Sequence, residues 1–160
     1  MWETLSLLFF MADKIAHGLS GIAGEYFVAG ELSRRGYLAS ITLRNTRGID
    51  ILVSNADASK SVGIQVKTGQ HSRKSWILCG KAEQIFSDTL FYVFVNLNGL
   101  TAAPTYHVVP SKVVADYCKT SHAEWFATPG RHGQAHNDND ARNFADFDNK
   151  YLNAWDSLGL

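Results

Sequence analysis

The chain has 160 residues, 46% of them apolar and 19% charged, with fifteen Lys and Arg balanced by fifteen Asp and Glu. That length fits one domain, residues 1–160, with a single sizeable core. Zero net charge argues against a highly basic binder that relies on many phosphate contacts, and Cys79 and Cys118 suit neither a disulfide scaffold nor a zinc site.

The balance is uneven along the chain. Residues 31–81 hold nine Lys and Arg against three Asp and Glu, whereas residues 82–160 hold five against nine. The basic stretch is compatible with polyphosphate binding and equally with a solvated face.

At the start, Leu5, Leu7, Leu8, Phe9 and Phe10 cluster without a basic segment before them. The run is far below the roughly twenty residues needed to span a bilayer. An early strand, a dimer contact, or an extension ahead of a second start at Met11 are the readings left, and a soluble cytoplasmic protein is expected.

Residues 20–35 predict a helix capped by Ser20, with Ile22, Tyr26, Ala29 and Leu32 forming its apolar stripe and Gly36 ending it. Glu25 falls on the inward stripe and Glu31 on the other side, so Glu25 needs a partner and is the better functional candidate. A first-turn acid favoured by the exposed amides of the helix start is its bland reading.

Strands are expected over 37–43, 49–53 and 62–68, the last ended by Gly69. Residues 69–74 read as a polar loop or short edge and 81–88 as a helix. The unbroken apolar run 90–95, LFYVFV, predicts a strand buried on both faces. A further strand over 105–109 and a helix over 111–118 follow. Residues 128–143, rich in Gly, Asn and Asp, predict a mobile loop in which His132 and His136 are surface groups. Residues 144–160 return to apolar spacing and predict a short helical tail packed on the domain. The order α-β-β-β-α-β-β-α predicts an α/β fold with a mixed sheet and helices on both sides.

Strand alternation puts Gln65 and Lys67 on one face and Ile64 and Val66 on the other. Fourteen residues separate Asp50 from Gln65. With 49–53 as the neighbouring strand, Asp50 lies across from Gln65, and Glu25 reaches the same patch from the helix. Asp50 offers a hard anionic oxygen to Mg²⁺ or Mn²⁺, Gln65 a neutral one, and the Val66 carbonyl a third, with Glu25 as an added carboxylate. Lys67 is suited to orient or deprotonate water and to stabilise a pentavalent phosphate. Taken singly, Lys67 is a strand-end side chain with its head in water and Asp50 a turn acceptor; Gln65, a polar amide within VGIQV, is the oddity.

The runs GEYFVAGELSRRGY, GIDILVSN and VGIQVKTG resemble the PD-(D/E)xK nuclease superfamily, in the branch whose motif reads QxK, with Mrr-like and Holliday-junction-resolvase-like members. The resemblance covers residues 20 to about 96. It implies a restriction endonuclease-like core, a divalent-metal site and DNA cleavage, with Asp50 as the motif acid, Gln65 as second ligand, Lys67 as the lysine and Glu25 as the helix glutamate. Two positions depart from the pattern: Ile49 stands where the family name implies Pro, and Gln65 replaces an acid. Weaker ion affinity should follow from the second.

Arg44, Arg47, Lys60, His71, Arg73 and Lys74 flank the expected site and suit phosphate contacts, and Trp76 suits either base stacking or the core. No recognition helix is visible, so an endonuclease of little sequence specificity, acting as a homodimer on both strands, is expected. The alternative is a catalytically inactive nuclease fold that binds nucleic acid or a protein partner.

Overall fold

The computed structural model describes residues 15–43 and 48–160. The apolar cluster of residues 5–10, and Arg44 and Arg47, lie outside the described residues. Helix α1 spans His17–Arg34. Strands β1 (Leu38–Ile41), β2 (Ile51–Ser54), β3 (Ser61–Gly69), β4 (Ser75–Cys79), β5 (Leu90–Asn96) and β6 (Thr105–Pro110) follow, then helix α2 (Ser111–Ala127) and strand β7 (Ala141–Ala145). Short 3-10 turns occupy Gly80–Glu83 and Trp155–Leu158.

Five strands form one sheet in the order β1-β2-β3-β5-β6, parallel between β3 and β5 and antiparallel elsewhere. β4 and β7 form a separate antiparallel ribbon. Every residue of β5 is buried, as expected of a central strand with both faces covered. Phe91, Val93 and Val95 face α1, together with Ile51, Val53, Ile64 and Val66. Tyr92 and Phe94 face the other way, onto α2 and the ribbon, with Trp76, Val109, Val114, Cys118 and Phe144. The sheet is therefore sandwiched between helices on opposite faces, and the single expected core is two half-cores.

The α1 stripe differs from the expected one. Ser20, Gly24, Val28 and Leu32 are buried, whereas Tyr26 is 67% exposed. The helix also starts three residues before Ser20, whose hydroxyl donates to the His17 carbonyl instead of capping. Small size explains the shift: a Cβ on Gly24 would lie 1.9 Å from Thr68 Oγ1, so only glycine lets the helix approach β3 this closely. Glu31 does not point outward as expected: its side chain is 12% exposed and is held by Arg34 and Arg35 at 2.8 and 2.9 Å, which supply the partners a half-buried carboxylate needs.

Three later elements also depart from expectation. The helix over 81–88 shrinks to one 3-10 turn because Ile85 and Phe86 stay exposed while Ser87 bonds locally to Thr89. Helix α2 runs nine residues past 118, its Ser121 hydroxyl donating to the Asn143 carbonyl. Residues 128–140 carry no helix or strand, but 141–145 are a strand whose order comes from pairing with β4.

The tail is not an α-helix. It runs along the free edge of β6, with Val108 N donating to Tyr151 O and Asn153 N to Tyr106 O, and it buries Trp155 and Leu158. A buried pair anchors it: His107 Nδ1 lies 2.6 Å from Asp146 Oδ2, and the same carboxylate accepts the Lys150 and Tyr151 amides. No described helix is long and apolar enough to cross a membrane.

Gly24→Ala should lower the unfolding free energy by about 1–3 kcal/mol through overpacking against Thr68, measured by chemical denaturation. Burial pushes the Asp146 carboxyl up, but hydrogen bonds from His107, Tyr151 and Lys150 outweigh it and leave the group below its ordinary range. Its stabilisation is thus present above the unfolded value of about 3.9 and is lost as pH falls through the lower native value. Asp146→Asn should cost about 3 kcal/mol at neutral pH and flatten the acid limb of a pH–stability curve.

Candidate metal centre and nucleic-acid interface

The site begins where β2 and β3 diverge. Ile51 pairs with Ile64, and the Asp50 amide still donates to the Ile64 carbonyl at 2.8 Å. Two residues further along β3 the neighbouring backbone has left, and the Asp50 carboxylate takes its place: Oδ2 accepts the Val66 amide at 2.7 Å. Within a strand residue the amide and carbonyl leave on the same side, so the Val66 carbonyl faces the same gap. Asp50 is held there from β1, as Thr42 N donates to the Asp50 carbonyl and Thr42 Oγ1 to the Ile49 carbonyl. Ile49 in turn lies over Gly63, where an added Cβ would sit 3.2 Å from its side chain.

Gln65 and Lys67 share the opposite face of β3 from Ile64 and Val66, in register with Tyr92 and Phe94. They line a hollow with Gly48, Ile77, Cys79 and Lys81. Tyr92 at its floor is pushed up to about 12, first by burial and then by charge at Cys118, Cys79 and Asp50, so its phenol stays neutral.

Glu25 lies on the other side. With Asp50, Ile49, Thr42, His17 and Ile22 it lines a separate hollow between α1 and the start of β2. The four residues expected in one patch therefore fall in two hollows, Glu25–Asp50 and Gln65–Lys67, with the Asp50–Val66 bond between them. Among the described residues no group of three or more His, Cys, Asp or Glu forms a metal cluster. The oxygen donors expected at one ion are split between these hollows: the Asp50 and Glu25 carboxylates border one and the Gln65 amide the other, and only Asp50 and Val66 are joined directly. Carboxylate, amide and carbonyl oxygens are donors of the kind that suit Mg²⁺ or Mn²⁺ rather than zinc.

The basic side chains do not converge as a group. His71 and Arg73 are exposed on the turn after β3, which Asn96 fixes by donating to the Arg73 carbonyl. Lys74 donates to the Phe147 carbonyl at 2.8 Å and so ties down the tail. Lys60 donates to Gly159 O at the opposite end of β3, about 15 Å of strand from Gln65. Trp76 is core: 5% exposed, it packs on Phe94, His107 and Phe144 and offers no face to a base. Lys81, not singled out from the sequence, is the exposed cation that shares the hollow of Gln65 and Lys67. Its sequence signal is weak, since a lysine after Gly80 in an expected helix reads as a solvated side chain.

No protein-family model matches the chain, and no curated protein does. Solved structures do. Hjc, a Holliday junction resolvase from the archaeal hyperthermophile Archaeoglobus fulgidus, is 14% identical over 79% of this chain and 84% of its own, with a TM-score of 0.45. The bacterial homing endonuclease I-Ssp6803I is 12% identical over 91% of this chain and 94% of its own, with a TM-score of 0.54. The second alignment spans nearly the whole of both chains, and the architecture it shares with this chain is the restriction endonuclease-like fold.

Proposed function

We propose that the chain is a divalent-metal-dependent DNA endonuclease with little intrinsic sequence specificity. The observation that carries this reading is the Asp50–Val66 hydrogen bond, which holds a carboxylate at the strand divergence one residue from both Gln65 and Lys67. The fold shared with the homing endonuclease supports action on DNA in general.

Asp50, Gln65 and the Val66 carbonyl would hold Mg²⁺ or Mn²⁺, with Glu25 adding charge from the α1 side. The ion, when bound, lowers the pKa of water and offsets charge on the phosphate. Lys67 stands one strand step beyond Val66 on the Gln65 face, where its ammonium orients the attacking water and stabilises the pentavalent phosphate. Tyr92, kept neutral by burial, adds no negative charge to repel the substrate. Lys81, with His71 and Arg73 at the end of β3, meets flanking phosphates, contacts that position DNA without reading its sequence. Cleavage of both strands calls for a second copy of the chain.

The test is a cleavage assay with Mg²⁺ or Mn²⁺ on single-stranded, duplex and branched DNA. Asp50→Ala and Lys67→Ala should each lower the rate by about 100-fold or more. Activity that survives both substitutions, or no cut on any substrate, overturns the proposal. Gln65→Glu restores the acid of the related motif, so the Mg²⁺ concentration for half-maximal rate should fall about tenfold; a rise would place Gln65 outside the ion's ligand set.

A further inference from the structure

The ribbon of β4 and β7 has two unlike faces. Trp76, Leu78 and Phe144 point into the core, whereas Ile77 and Asn143, paired in register, point outward. Ile77 is 77% exposed, a conspicuous position for a large aliphatic side chain. It forms one wall of the hollow that holds Gln65, Lys67 and Lys81. It also forms a wall of a second hollow, on the far side, lined by His122, Trp125, Asn139 and Asn143.

The chemistry of the two hollows differs. The first carries two ammonium groups. In the second, the one guanidinium, that of Arg142, is already taken by Glu83 and by the carbonyls of Asn139 and Ala141. What remains is aromatic and amide. Trp125 is fixed in place by His136, whose ring stacks at 4.2 Å, and by His122 at 5.3 Å. His122 is itself oriented by Asp138 at 2.9 Å. An anion gains little there, whereas a nucleobase finds the part of the Trp125–imidazole stack left open, Trp125 being 37% exposed, and carboxamides with both donors and acceptors. Exposed aliphatic side chains in such a position act as wedges that separate adjacent bases.

We infer that the Trp125 hollow receives an unpaired nucleobase next to the phosphate held at Lys67, with Ile77 as the wedge between them. This rests on the nuclease reading and narrows its substrate to DNA with an unpaired or extruded nucleotide at the cut. Pairing, rather than sequence, is then what the protein senses, because stacking on an aromatic flank accepts every base.

The test uses the full chain in metal-free buffer and two oligonucleotides, a perfect duplex and the same duplex with one bulged 2-aminopurine. Wild type should bind the bulged duplex about tenfold more tightly and quench the 2-aminopurine emission. Ile77→Ser and Trp125→Ala, both at exposed positions, should each remove the quench and bring the two affinities within about twofold. Equal wild-type affinities, no binding of either duplex, or a preference that survives both hollow substitutions overturns the inference. A protein that prefers the bulge yet cuts nothing with Mg²⁺ upholds the hollow and overturns the nuclease reading. One that cuts both duplexes without preference does the reverse.

Discussion

A single hydrogen bond from the Val66 amide to the Asp50 carboxylate organises the centre of this molecule. Where two antiparallel strands diverge, the inner strand is left with backbone groups that have no neighbour, and in a buried setting such groups need partners. Asp50 meets the amide with a charged acceptor, which gives a short, strong bond and fixes the carboxylate. The carbonyl of the same residue is left facing the gap beside a negative charge. Oxygen donors are thus concentrated at that point by the geometry of strand divergence. Thr42, Ile49 and Gly63 then serve to keep the two strands separating at the same residue.

A second constraint sets what surrounds that point. Gly24 brings α1 against Thr68, and the residue that follows it in the helix is Glu25. The closeness of helix and strand therefore determines how near a second carboxylate lies to Asp50. On the other face, Tyr92 and the β4–β7 ribbon do the corresponding work for Gln65 and Lys67. Of the two hollows, the one beside α1 carries the Glu25 and Asp50 carboxylates and the one beside the ribbon carries the Lys67 and Lys81 ammonium groups.

Much of this is legible from residue patterns, and the features that are not share a cause. Strands β2, β3, β5 and β6 are readable because alternation and unbroken apolar runs report burial directly. Asp50, Gln65 and Lys67 stand out because polar groups in such runs need a reason. The α1 face is not readable this way because its closest contact is made by Ser20 and Gly24, and hydrophobicity patterns are blind to small size. Strand β7 and the tail escape because their order comes from long-range partners: β4 for Ala141–Ala145, and β6 with His107 for the residues beyond Asp146. Trp76 sits among basic residues in the chain but among aromatic rings in space, and sequence neighbourhood alone does not separate the two.

The tail also decides how this sheet meets other chains. A β-sheet edge is a row of unused amides and carbonyls that invites another strand, and an open sheet has two. Here the β6 edge is occupied by Tyr151 to Asn153 of the same chain, locked by His107 and Asp146. Among the described residues, the sheet therefore ends at β1 on one side and at its own C-terminal segment on the other. Among the described residues, strand addition is blocked at β6, and the buried imidazole–carboxylate pair is the latch that keeps that edge closed.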